Sequence, residues 1–233
     1  MKIAVFADIQ GNAIALEAAL NDMRRHQPDR RICLGDVVTG AQPVRCLQLL
    51  REANCRVVQG NMDAAVLNLS AYDGDDDDER RYSEIDQWCY AQLSAEDRRY
   101  LADLPAQLAL DTPFGRLLCV HGSPRSFDDM IDAATSESQL ATMLTDCEAD
   151  VLAVGHMHTP LLRRFGSMKI VNPGSVGLPY GARRPMPCRA QYAIVQAGAA
   201  QFYSVNYEVS AMKRGLLNSA MPHRDWFAAR WQL

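Results

Sequence analysis

Short apolar runs of four to six residues recur along the chain, and several stop abruptly at Gly, Asp, Asn or His before a stretch with apolar positions at helical spacing. That strand-then-helix rhythm marks an α/β protein. The first half predicts a strand over Lys2 to Ala7, an Ala/Leu-rich helix from about Ala13 to Arg25 and a strand over Arg31 to Leu34. A helix opened by Pro43 and ending near Ala53 follows, then a strand over Arg56 to Gln59.

From Asp63 to Leu104 the pattern turns helical and more polar, with Ser83-x-x-Asp86 and Ser94-x-x-Asp97 both placed as capping boxes. It reads as a helical insertion over about 64–105. Within it the run Asp75-Asp76-Asp77-Asp78-Glu79 reads as a solvated loop. Strands return at Gln107 to Leu110 and Arg116 to Val120, a helix follows from about Ser136 to Thr145, and Val151 to Val154 is a buried strand. The runs Leu161 to Phe165, Lys169 to Val171, Gln191 to Gln196 and Gln201 to Tyr207 are joined by short connections. They predict antiparallel pairing, a β-meander added to a mixed sheet or forming a second one. From Glu208 onward the pattern is helical.

Composition adds limits more than detail. With 48% hydrophobic and 22% charged residues over 233 positions, the chain is ordinary globular material, neither disordered nor fibrous, and is expected to form one domain over 1–233 carrying the insertion. No run of about 18 apolar residues is present, and too few residues precede Asp8 for a signal segment, so a cytoplasmic protein without a membrane partner is expected. Lys and Arg total 24 against 28 Asp and Glu, a net charge of −4, which gives no overall attraction to a nucleic acid polymer. Seven cysteines without a C-x-x-C spacing argue against a disulfide framework or a zinc knuckle, and most read as small buried apolar residues.

The placement of polar residues changes the picture. Asp8, Asp36, Asn61, His121 and His156 each fall at or just past the end of a predicted strand, the edge of an α/β sheet where ligands bind. Of the five histidines, His121, His156 and His158 lie in Gly-flanked strand-end turns, whereas His26 and His223 sit in arginine-containing surroundings that suit a surface. The pair Gly155-His156-Met157-His158 suits two ligands diverging from one turn toward two adjacent metal ions.

The ordered blocks Asp8-Ile-Gln-Gly-Asn12, Gly35-Asp36, Gly60-Asn61-Met-Asp63, His121-Gly122 and Gly155-His156-Met-His158 resemble the calcineurin-like metallophosphoesterases. Asn172-Pro-Gly-Ser-Val-Gly177 is similar to the segment that closes the site in their small bacterial phosphodiesterase branch. The resemblance implies a four-layer α/β/β/α sandwich of two mixed sheets and two divalent metal ions, Mn²⁺ foremost, with Fe²⁺, Zn²⁺, Co²⁺, Ni²⁺ and Mg²⁺ as alternatives. Asp36 would bridge them. Positions matching Asp8, Gln10 and His158 would hold one ion and positions matching Asn61, His121 and His156 the other. Two divalent cations clamp the attacking and leaving oxygens of a phosphoester and activate a water. Set against two carboxylates they leave a local charge of about +2, which draws in phosphate despite the charge of the whole chain.

Two positions depart from the family pattern. Gln10 stands where the family has His, which predicts looser binding of one ion and a tilt toward Mn²⁺ or Mg²⁺. Met62 stands where many relatives have His or Cys able to protonate a leaving group, and reads as packing beside the site. Asp63 could orient Asn61 or cap the helix that follows. Arg189 is placed like an arginine near the family's phosphate pocket, and Arg125, Arg183 and Arg184 are further candidates. Asp36, Asn61, Asp63 and Arg189 are thus the expected catalytic set. The expected activity is hydrolysis of a phosphodiester or phosphomonoester of a small molecule, a nucleotide among them, with a weakened nucleotide or metal sensor as the alternative. Tyr82, Trp88 and Tyr90 could stack a base, although their helical spacing favours the core. Open sheet edges leave room for a homodimer.

Overall fold

A computed structural model describes residues 1–69, 74–178 and 188–231. The first half follows the expected alternation: β1 (Lys2–Phe6), α1 (Ala13–Arg25), β2 (Arg30–Cys33), α2 (Pro43–Glu52) and β3 (Arg56–Val57). The three strands are parallel because each helix crosses over between them. Pro43 stands at the start of α2, where its missing N–H costs nothing.

Between β3 and β4 (Gln107–Thr112) lie three helices, α3 (Asn61–Asn68), α4 (Asp77–Gln92) and α5 (Ala95–Ala102). Ser94 and Asp97 cap α5 reciprocally, as expected. The other box is corrected. Ser83 lies inside α4, and the acidic run taken for a loop is that helix's start: Asp76 accepts the N–H groups of Asp78 and Glu79, and Asp77, Asp78 and Glu79 occupy the first turn. Carboxylates at the positive end of a helix dipole are favourable there. Arg80 and Arg81 also pair with Asp77 and Asp78 one turn on.

The remaining elements are β5 (Gly115–Val120), α6 (Glu137–Met143), β6 (Val151–Ala153), β7 (Pro160–Phe165), β8 (Met168–Pro173), β9 (Arg189–Gln196), β10 (Ala199–Asn206), α7 (Val209–Leu217) and α8 (Arg224–Ala228). Among the described residues the strands form two five-stranded sheets, ordered β10-β9-β1-β2-β3 and β4-β5-β6-β8-β7. The last four strands pair as two antiparallel hairpins divided between the sheets, not as one meander. The reason is that β8 runs parallel to β6 and fills the place beside it, after which the chain joins β1 in the other sheet.

The central strands are buried on both faces, and the face a side chain enters alternates with a period of two. Ala4 and Phe6 pack under α1 and α2, while Ile3, Val5 and Ala7 face Leu117, Cys119, Val151 and Ala153 of the second sheet. Leu118, Val120 and Leu152 point the other way, onto Leu140 of α6. The layers are therefore α/β/β/α. The cap aromatics serve the core: Tyr82 meets Trp226 edge-on at 5.2 Å, Tyr90 lies 3.9 Å beneath Arg98, and Trp88 packs on the same cluster. None of the seven cysteines forms a disulfide. No described helix is long and apolar enough to cross a membrane.

Candidate metal centre

Asp8 follows the last residue of β1 by two positions, Asp36 that of β2 by three, His121 that of β5 by one and His156 that of β6 by three, while Asn61 opens α3. The first two loops are laced together by their backbones. Asp8 N donates to Gly35 O, Gln10 N to Asp36 O and Gly11 N to Val37 O, each at 3.0 Å. Gly60 lets α3 come close, since a Cβ there would lie 2.2 Å from Asp36 Oδ1.

Asp8, Gln10, Asp36, His156 and His158 all hold left-handed backbone conformations, with φ of 57°, 51°, 56°, 65° and 52°. Each carries a steric cost for a side chain, and such costs persist where surrounding structure enforces them, often at functional sites. Here the interlocked loops do so.

All seven residues expected from sequence to hold metal are brought together. Two sets, Asp36/His121/His156 and Asp8/Asp36/His158, each place their donor atoms within 4.8 Å of one another, and Asp36 belongs to both. Asn61 Oδ1 stands 2.9 Å from His121 Nε2. Gln10 turns its Nε2 to Asp36 Oδ2 at 2.9 Å. His156 sits edge-on to His121 with ring centroids 5.2 Å apart.

Two observations test whether these residues suit a cation. Both carboxylate oxygens of Asp8 are buried with no hydrogen-bond partner, and unmet buried charge is costly. His158 Nε2 stands 3.3 Å from Asp8 Oδ1. Next, His121 Nδ1 contacts Leu34 O at 2.7 Å and His158 Nδ1 contacts Leu178 O at 2.7 Å. A carbonyl only accepts, so Nδ1 carries the proton in both rings and Nε2 turns inward. His121 Nε2 there meets Asn61 Oδ1 and, at 3.5 Å, Asp36 Oδ2, acceptors both. That arrangement calls for a positive charge, and the residues fit divalent cations.

The electrostatics agree. Burial opposes charge on His121, but the attraction of Asp36 outweighs it and pushes the ring up to about 10. His158 is raised in the same way, burial being outweighed by Asp8. Burial would raise Asp36, yet the nearby imidazoles hold it below the usual carboxylate range. His156 is lowered by burial and by its neighbour His121. Imidazolium protons thus stand in, without metal, for the positive charge the carboxylates require.

Asp63 is a brace. Its carboxylate accepts from the backbone N–H groups of Asp36 (2.9 Å), Val37 (2.8 Å), Val38 (3.2 Å) and Gly60 (3.1 Å), so it caps α3 and shapes the Asp36 loop without touching Asn61. Burial, and then the adjoining Asp36 charge, push it up to about 6.

Two of the candidate arginines lie elsewhere. Arg189 is exposed at the start of β9, opposite Asn206. Arg125 is exposed and paired with Asp129 at 2.7 Å. Among the described residues no hydrogen bond or ion pair joins either to the cluster, and Arg183 and Arg184 lie outside the described residues.

Sequence reasoning missed several supports. Met62 contributes its backbone N–H to Asp36 Oδ1 at 2.9 Å. Asn172 donates to Gly155 O at 2.6 Å and accepts from Gly174 N, fixing the turn that leads into His156 and His158. Ser175 Oγ donates to Asp8 O at 2.9 Å. The Asn172 to Gly177 run was visible as a motif; the backbone groups left no mark in the sequence.

The profile of the calcineurin-like phosphoesterase superfamily domain matches residues 1–197. The chain belongs to this superfamily. Among related chains, it is 27% identical to the uncharacterized protein MJ0912 of Methanocaldococcus jannaschii, with 98% of this chain and 96% of that protein covered. The crystal structure of a metallophosphoesterase from Sphaerobacter thermophilus matches with a TM-score of 0.78 at 29% identity, covering 99% of this chain and 98% of that one. The hypothetical protein PH1004 of Pyrococcus horikoshii OT3 shares the fold, with a TM-score of 0.85 at 21% identity over 99% and 98% of the two chains. As a calcineurin-like phosphoesterase this protein is a metal-dependent hydrolase of phosphoesters, and its candidate ligands lie at the strand ends described above.

Proposed function

We propose that this phosphoesterase hydrolyses a phosphodiester or phosphomonoester of a small molecule, with nucleotides as the substrates to try first, at a dinuclear centre bridged by Asp36. The observation that carries the reading is the sharing of Asp36 between two donor sets beside the buried carboxylate of Asp8. Asp8, Gln10 and His158 would hold one ion with Asp36, and Asn61, His121 and His156 the other. Two bound divalent cations supply a Lewis acid for a phosphoryl oxygen and a water of lowered pKa for in-line attack. Oxygen donors from Asp8, Asp36, Gln10 and Asn61 beside three imidazoles favour Mn²⁺ among the candidates.

The chain's own residues do the rest. Leu34 and Leu178 carbonyls fix the imidazoles so that Nε2 faces inward. Asp63 holds the Asp36 loop at its set distance from α3. Asn61 and His156 are half-buried whereas Asp8, Gln10 and His158 are buried, so the phosphoryl group approaches on the Asn61 side. Helices α3 to α5 border that side as a cap.

The test is hydrolysis of bis-p-nitrophenyl phosphate and p-nitrophenyl phosphate by metal-stripped protein, with Mn²⁺, Mg²⁺, Zn²⁺, Ni²⁺ or Co²⁺ restored in turn. Metal-dependent turnover, lost in Asp36→Asn, is the expected result, and the diester-to-monoester ratio then narrows the substrate. Folded, metal-loaded protein with no turnover on either ester would sink the enzyme reading and favour the sensor.

A further inference from the structure

Residues after 197 lie beyond the superfamily match, yet they reach back to the centre. Trp231 is buried, 1% exposed, and its indole Nε1 donates to Gly177 O at 2.9 Å. The same carbonyl accepts Asn12 Nδ2 at 3.0 Å. Gly177 is pressed onto the metal loop: its N–H donates to Asp8 O, and a Cβ there would lie 1.7 Å from Ile9 O. The next residue, Leu178, gives its N–H to Ser175 Oγ at 2.9 Å and its carbonyl to His158 Nδ1 at 2.7 Å.

The Gly177–Leu178 peptide is therefore held at both of its polar atoms, and the carbonyl one residue on sets the orientation of a metal-ligating ring. Trp231 is itself secured. Lys213 Nζ donates to its carbonyl at 2.7 Å, and Phe227 packs against its ring with centroids 5.4 Å apart. Between Trp231, Phe227, Met212 and Leu216 on one side and Gln10, Gly11 and Asn12 on the other, a void of only about 10 Å³ remains. The tail and the metal loop meet as a close fit. Partners of this kind, which orient a ligating histidine without touching the ion, tune affinity at that position.

We infer that Trp231 is a positioning residue for the Asp8 side of the centre: its indole N–H, through Gly177 and Leu178, holds His158 in place to receive one of the two ions. This rests on the dinuclear reading above. Among the described residues no hydrogen bond links the Asn61 side to the tail through Gly177, so the effect is confined to one ion.

The experiment is calorimetric titration of the whole, metal-stripped chain with Mn²⁺, comparing wild type with Trp231→Phe, which keeps a ring but loses the donor. His158→Ala and His156→Ala, each removing one ion's ligand, identify the two binding events. The expected result is about fivefold weaker binding at the event that His158→Ala removes, what one neutral hydrogen bond is worth. The other event is unchanged, and adding Trp231→Phe to His158→Ala has no further effect on Mn²⁺ binding. Leu140→Val, which thins the core beneath α6 away from the tail, lowers the melting temperature and leaves both affinities alone.

Equal weakening of both events, no weakening in a folded Trp231→Phe, or the same selective loss in Leu140→Val would overturn the inference. If Trp231→Phe does not fold, Lys213→Ala carries the test by untying the Trp231 carbonyl, with the same selective loss expected. Wild type that binds no Mn²⁺ at all overturns the dinuclear reading and this inference together, and is distinguished by wild type alone.

Discussion

The two sides of the metal centre are built differently. On one side Asp8, Gln10 and His158 are buried, with left-handed backbones, and the loops around them are bonded to one another, to Ser175 and Gly177 and, through Trp231, to the tail. On the other, His121 is buried and His156 shares the left-handed backbone, but Asn61 and His156 are half-buried and Asn61 begins a helix with ordinary backbone angles. On the dinuclear reading proposed above, the first side would retain an ion and the second would admit a phosphoryl group. The shared Asp36 makes them one centre.

Breaking the shared residue has the largest expected effect. Asp36→Asn removes a charge from both donor sets, and kcat falls on the order of a thousandfold, as when a positioned transition-state partner is lost. Residual activity near wild type would mean that the two sides work independently.

The next effect tests how far the buried side extends. Asp86 of α4 is 6% exposed and accepts from Thr39 Oγ1 at 2.8 Å, while Cys89 of the same helix bonds to Gly40, so the cap is tied to the loop beyond Asp36. Burial, helped by the charges of Asp36 and Asp63 and opposed by the Thr39 bond, pushes Asp86 up to about 7. In the unfolded chain an aspartate titrates near 4. The fold therefore holds an extra proton between about pH 4 and 7, and stability is lost as pH rises through that window. Without metal, Asp86→Asn should be more stable than wild type by about 2 to 4 kcal/mol at pH 8 and nearly equal at pH 4, as read from urea unfolding at both pH values. A gain of the same size at both would show that the group titrates normally.

Asp8→Asn should abolish one Mn²⁺ event in calorimetry, since it takes a charged donor from the buried side. His156→Ala on the open side should weaken the other event and leave the first in place. Similar changes in the two variants would erase the contrast between the sides. The smallest effect is expected from Gln10→His, a shift of a few fold in affinity from Mn²⁺ toward Zn²⁺, measured by competition. Unchanged preference would show that Gln10 acts only through its bond to Asp36.

Much of this was legible before the structure. Strand ends are written in the sequence as an apolar run broken by one polar residue, and Asp8, Asp36, Asn61, His121 and His156 stood out on that ground. Helix starts are local too, and Ser94 and Ser136 marked theirs correctly. Ser83 misled because Asp76, with three carboxylates after it, competes for the same helix and wins by completing a better-charged first turn. What escaped was long-range. Nothing near residue 231 announces a bond to residue 177, and the split of the last four strands between two sheets depends on which neighbour β8 finds, a choice no local pattern records.

The left-handed backbone at Asp8, Gln10, Asp36, His156 and His158 bears on how this centre can be altered. At these five positions a replacement has to satisfy chemistry and conformation at once. Asn at Asp8 or Asp36 tolerates the backbone but gives up the charge, and a β-branched residue fails on both counts. Asn61 and His121 have no such backbone demand. A directed search for altered metal preference should therefore collect its viable variants at those two ligands, and a library that randomises all seven equally would spend most of its members on chains that cannot close the loops.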